Sequence, residues 1–254
     1  MNDKYELLDL DEATGLHRIR ALRDIPRYGV RAGDIGGLVA GPDNLSQDGD
    51  GWVFDNACVS DNGRVYDNAC VYDNACVFGN GQISGNARVS GNGRVSGNAR
   101  VSGNGRVSGN ARVSGDGRVS GNARVSGDGR VSGNARVFDN GRVSGNARVF
   151  DNGRVSGRRD ILTISPVASE DCHLTLFRTP TGHLCQVGCW AGDLDALTDL
   201  IEGDWWPSGC GAATREAHRP EMRAVIALCR VRAATWTPRE DAATETPEST
   251  PVEP

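Results

Sequence analysis

The chain has 254 residues, with 28 basic against 33 acidic side chains, a formal charge of −5, 34 glycines and only 6% aromatic residues. Sparse aromatics and heavy glycine exclude one thick globular core, and no apolar run approaches the ~20 residues that span a bilayer. The opening Met1-Asn2-Asp3-Lys4-Tyr5-Glu6 lacks the basic-then-apolar order of a secretion signal, so the expectation is a cytoplasmic chain with no membrane partner.

Residues 1–51 read as a small N-terminal cap, with strands from Tyr5 to Leu10 and from Leu16 to Leu22 joined by glycine-rich turns. Residues 52–158 are a hexapeptide repeat. An aliphatic residue recurs every sixth position from Val53 to Val155, once as Ile83, over eighteen hexads of the type Asn-Ala-Arg-Val-Ser-Gly. So strict a period predicts a parallel β-solenoid. Side chains alternate along a strand, so Val and the Ala or Gly two positions earlier face inward while Arg and Ser face outward. Gly and Asn form the turn, where both tolerate left-handed backbone angles. Stacked Asn side chains can also bond along the rod, and Asp116 and Asp128 replace two of them, Asp too being able to take these left-handed angles. Three hexads per coil give a triangular prism of about six coils and about 29 Å. Two per coil give a flat one, and the Ala/Gly alternation fits both; aliphatic anchors with small residues beside them favour the triangle.

Three features decorate this rod. Cys58, Cys70 and Cys76 stand where Arg stands elsewhere, as substitutions in a surface column. Phe54, Tyr66, Tyr72, Phe78, Phe138 and Phe150 take the outward Ser position in the first and last turns, where they would pack against the flanking segments. The segment from Gly79 to Arg158 carries +9, which leaves −14 on the rest of the chain. Its twelve repeat arginines are the binding-surface candidates: Arg88, Arg94, Arg100, Arg106, Arg112, Arg118, Arg124, Arg130, Arg136, Arg142, Arg148 and Arg154. Stacked guanidinium groups repel one another and suit a polyanion or nucleic acid; the plainer reading is a solvated face with Arg stems covering the sheet.

Residues 159–236 read as an α+β domain. Ile161 to Ser165, Leu174 to Thr179 and Leu184 to Cys189 alternate as strands, Asp193 caps a helix through Ile201, and Pro220 starts a second helix with an apolar stripe at Met222, Val225, Ile226 and Cys229. Trp190, Trp205 and Trp206 are candidates for recognition, against half-buried packing. Cys172, His173, His183, Cys185, Cys189 and His218 lack regular zinc-ligand spacing, so no metal or other cofactor is expected and the cysteines read as free thiols. Residues 237–254, rich in Pro, Thr and Glu with net charge −4, read as a disordered acidic tail.

The hexads resemble those of the hexapeptide-repeat left-handed β-helix superfamily, best known for acyltransferases. More closely, Ala32-Gly33-Asp34-Ile35-Gly36-Gly37, the start Trp52-Val53 and the run Asp160-Ile161-Leu162-Thr163-Ile164-Ser165-Pro166 are similar to phage- and prophage-borne hexapeptide proteins. One departure is Cys185-Gln186-Val187-Gly188-Cys189-Trp190, where that group carries Cys-Gly-Cys-Phe. The resemblance implies a mainly β, left-handed triangular solenoid and a host-directed role. Acyltransfer is disfavoured because no His occurs between His17 and His173. The expectation is a non-enzymatic binding or scaffold protein that presents residues 160–235 to a protein partner. A polyanion on the arginine columns is the alternative partner, and a homo-oligomer is compatible with either.

Overall fold

A computed structural model describes residues 4–168, 172–203 and 212–236. Its centre is a triangular β-solenoid. Eighteen two-residue strands, β4 (Trp52–Val53) to β21 (Arg154–Val155), follow β1 (Tyr5–Asp11), β2 (Leu16–Ala21) and β3 (Ile35–Val39). Each solenoid strand pairs in parallel with the strand three hexads away, as Val95 with Val113, so three sheets run up the prism. Cys58 stacks on Cys76, eighteen residues later. Three hexads per coil are thereby the observed count.

The hexad explains why. Every anchor from Val59 to Val155 is buried, with Ala57, Ala69, Ala75 and their equivalents beside it. A buried Val contributes roughly 1.5 kcal/mol or more, and the column repeats this at each rung. Rungs are tied by backbone bonds such as Arg94 N–H to Ala111 O at 2.9 Å. Asn side chains add a second tie at the corners: Asn62 donates to Asn80, Asn80 to Asn98 and Asn98 to Asp116 at 3.0–3.1 Å.

The turn differs from the sequence expectation in one respect. Asn does not take the left-handed angle. The residue before it does: Gly97 at φ +65°, or Asp61 at φ +51° in the outer coils. A Cβ on Gly97 would sit 3.0 Å from Gly115 N of the next coil. Asp116 and Asp128 therefore serve as acceptors in the Asn ladders, not as left-handed residues.

The solenoid begins before the first hexad. In β3, Leu38 and Val39 pair in parallel with Cys58 and Val59, and Leu45 bridges to Val65, so the stack reaches about seven coils. β1 and β2 continue that sheet in antiparallel fashion. Tyr5, Ile19 and Trp52 close the open end, with Tyr5 edge-on to Trp52 at 6.4 Å. Gly36 permits the approach, since a Cβ there would lie 2.6 Å from Ile19 Cγ1. Covered edges keep a parallel stack from growing into fibres.

Cys70 corrects the surface reading. It is fully buried, whereas Cys58 and Cys76 are half-buried. A 3-10 turn, Pro26–Tyr28, folds down the side of the rod. There Tyr28 meets Phe54 edge-on at 6.2 Å, and Phe54 stacks on Tyr72 at 4.5 Å. Arg27 reaches Asn86 Oδ1 at 2.7 Å. Of the aromatics at Ser positions, Phe54 thus meets the cap here with Tyr72 stacked on it, and Phe150 meets Phe177 at 5.0 Å at the other end.

Beyond the rod, β22 (Ile161–Ile164), β23 (Leu174–Thr179), β24 (Gly182–Val187) and β25 (Trp190–Gly192) form an antiparallel sheet, followed by α1 (Leu194–Glu202) and α2 (Ala212–Ala234). Asp193 caps α1 by accepting from the Asp195 and Ala196 N–H groups. Pro220 does not start α2 but lies inside it. The missing N–H forgoes a bond to the Glu216 carbonyl, and burial of Met222, Ile226 and Cys229 carries the helix past it. Among the described residues, no helix is long and apolar enough to cross a membrane.

Candidate functional site

The three sheets sort the repeat arginines into three columns on three faces. Arg88, Arg106, Arg124 and Arg142 stack in register on one, and Arg94, Arg112, Arg130 and Arg148 on the next. The third holds Arg100, Arg118, Arg136 and Arg154. Rung spacing sets the Cα atoms about 4.8 Å apart. Arg88 to Arg148 are exposed, and Arg154 is half-buried where the C-terminal sheet meets the rod. Sequence spacing brought these residues to notice; the structure divides them so that no single surface displays all twelve.

Their surroundings are unusual for so acidic a chain. Among the described residues, no carboxylate pairs with Arg88 through Arg148. Elsewhere arginines are paired: Arg223 with Glu202 at 2.6 Å, Arg230 with Asp195 at 2.7 Å, and Arg20 with Glu6. Two unit charges 4 Å apart repel by about 1 kcal/mol in water, and the long side chains relieve part of that by splaying. Beside each Arg column runs a Ser column, half-buried at Ser90, Ser108 and Ser126 beside Arg88, Arg106 and Arg124, and replaced by Phe150 beside Arg148 and by Phe138 beside Arg136 on the other two faces.

The C-terminal candidates are placed differently. Trp190 is half-buried against the second hydrophobic core, with Cys185, Leu197 and Ile201. Trp205 and Trp206 lie outside the described residues, as does Cys210. Three of the cysteines share the second hydrophobic core, apart from His173 and His218. Cys172, Cys185 and Cys229 are buried; burial pushes the Cys185 thiol up to about 12 and that of Cys229 to about 11. Burial also lowers the pKa of His183, whose Nε2 accepts the Leu194 N–H at 3.4 Å. His173 sits between Ser165 Oγ at 2.6 Å and Asn146 Nδ2 at 3.0 Å, and His218 beside Glu221 at 3.5 Å. Among the described residues, no three metal-ligating side chains converge.

Two features escaped sequence reasoning. One is the joint between rod and C-terminal sheet. Phe177 of β23 enters the solenoid core with Val149 and Val155. Asp160 accepts from Ser156 N at 2.9 Å, Ser156 Oγ at 2.7 Å and Gly157 N at 2.9 Å, while its carbonyl accepts from Arg178 N at 3.0 Å. The other is a second apolar stripe on α2. Leu228 and Val231 are 50% and 68% exposed, with Ala224 and Ala227 beside them on the side away from Met222, Ile226 and Cys229. Spacings of three and four were present in the sequence, but the buried stripe alone was read.

Comparison with known proteins bears on the rod. A family model described as the YdcK beta solenoid repeat matches residues 82–95, 93–109, 105–119, 117–131 and 141–157, all within the arginine-faced coils. No curated protein matches the chain.

Proposed function

We propose that the protein is a non-enzymatic binding scaffold, a rigid solenoid that holds its C-terminal α+β domain out as a docking surface for a protein partner. The observation that carries this reading is the exposed stripe of α2. Isolated surface apolars are ordinary, but Leu228 and Val231 one turn apart on a helix already buried on its other side form a patch of interface type. Supporting it is the joint. Phe177 shares the rod's core and Asp160 ties the connecting turn, so the sheet is welded to the solenoid and does not hang from a linker. Resemblance to phage-borne hexapeptide proteins supports a host-directed setting for that partner.

The test is capture from a nuclease-treated bacterial lysate with the full chain, beside a variant carrying Leu228→Glu and Val231→Glu. The expected result is a specific protein retained by the parent and lost by the variant, with circular dichroism unchanged. Equal retention by both would remove α2 from the reading. A parent that is dimeric in sedimentation while the variant is monomeric would make the occupant a second copy of this chain.

A further inference from the structure

The arginine columns have properties the scaffold reading leaves unused. A line of like charges at fixed spacing is unfavourable by itself, and folded chains ordinarily offset it with carboxylates. Here, among the described residues, none pairs with Arg88 to Arg148, although the chain has 33 acidic residues. Of the four aspartates in these coils, Asp116 and Asp128 are engaged as acceptors for Asn98 and Asn110 at 3.1 Å, and Asp139 and Asp151 sit at left-handed turn positions. The positive lines are therefore left open, and the rung bonds of the backbone hold them in single file.

We infer that each face is a track for one linear phosphate polyanion laid along the rod. Guanidinium groups offer forked donors that match phosphate oxygens, and the neighbouring Ser column adds hydroxyls. Four rungs span about 14 Å, within reach of successive phosphates because Arg side chains are long and mobile. Aromatic residues flank these columns only at their C-terminal rungs, Phe138 beside Arg136 and Phe150, packed on Phe177, beside Arg148, so along most of each track bases are not stacked and the contact is by charge. A single strand fits better than a duplex. Each column is one charge wide, and the columns diverge onto three faces, so three separate strands can be held together while a duplex meets one column only. Single-stranded nucleic acid and inorganic polyphosphate share this chemistry.

The inference concerns the rod and the scaffold reading concerns α2, so they fail separately. The test titrates purified full-length chain with oligothymidylate of about six nucleotides, and separately with inorganic polyphosphate. About three strands per chain are expected for whichever polymer is the ligand. With four contacts per strand on the first two faces, and three on the third where Arg154 is half-buried, the log–log salt slope is about −2 to −3, a loss of about 20- to 50-fold between 50 and 200 mM salt. A variant with Arg94, Arg112, Arg130 and Arg148 all changed to Gln should bind about two strands. Gln82 already occupies this position of the repeat, so the variant should keep the parent's melting temperature. Binding of either polymer with these features identifies the source. Absence of binding by both at low salt, an unchanged stoichiometry in the variant, or one duplex held in preference to single strands would overturn the inference.

Discussion

At each corner of the prism one residue takes a left-handed backbone angle, and two residue types share that task by different means. Glycine does so without a Cβ, which the coil above leaves little room for. Aspartate does so in the outer coils, and in the first of them its carboxylate accepts the N–H of the residue eighteen positions on: Asp61 from Gly79 at 3.0 Å, Asp67 from Gly85 at 2.9 Å and Asp73 from Gly91 at 2.7 Å. A left-handed angle costs a residue with a Cβ about 1–2 kcal/mol, and a net hydrogen bond returns about 1 kcal/mol. Two substitutions separate these terms. Asp61→Gly loses the bond but sheds the strain, so its stability should stay within about 1 kcal/mol of the parent. Asp61→Ala loses the bond and keeps the strain, and should be less stable than the glycine variant by about 1 kcal/mol. Urea unfolding of both variants checks the order; an alanine variant as stable as the glycine one would mean the angle is unstrained.

At the scale of elements, the N-terminal cap carries an ionisable group in an unfavourable place. Lys4 is buried where β1 meets the first coil, and its ammonium donates to the Gly51 carbonyl at 3.1 Å and that of Asp48 at 3.3 Å. Burial, with the Arg23 charge behind it, lowers its pKa from 10.5 to about 8. Below the lowered value both folded and unfolded chains hold the proton. Between about 8 and 10.5 the folded chain releases it first while the unfolded chain keeps it, so stability rises with pH across that window. The difference between parent and Lys4→Met should show this rise; parallel pH profiles would rule it out. That same cap shows which parts of the fold were legible. Hexad residues announce their positions because each repeat carries its own inward and outward pattern, which is why Val, Ala and the Asn ladders were readable locally. Cys70 was not, because its burial comes from Tyr28 and Trp52, which precede it in the chain and fold over its rung. Phe177 entering the rod is likewise a contact between distant segments. Pro220 misled for the opposite reason: a strong local signal for a helix start yielded to packing by Met222 and Ile226. The arginines were legible as residues, but their division among faces depended on three hexads per coil, which the Ala/Gly alternation did not decide.

At the scale of the whole molecule, the solenoid is close to a one-dimensional array in which each coil touches only its neighbours. The caps set its ends and the middle coils are interchangeable: Val95, Val113 and Val131 stack in one register with the same partners above and below. Removing residues 97–114 deletes one complete coil and joins Ser96 to Gly115, the junction the repeat already uses. Val95 then stacks on Val131 as it did on Val113, and the cap and the C-terminal joint keep their own contacts. The rod should shorten by about 4.8 Å, unfold in one transition, and lose only the stability of one coil. A deletion of nine residues, 97–105, brings Ser96 against Arg106 and leaves a coil three residues out of phase. Inward and outward positions then fall half a hexad out of register. Thermal unfolding and small-angle scattering of both deletions distinguish the cases. Cooperative melting of the eighteen-residue deletion with a broad or absent transition in the nine-residue one is the expected pair. If both melted alike, the coil would not be the unit of stability, and the regular spacing of the arginine columns would lose its structural basis.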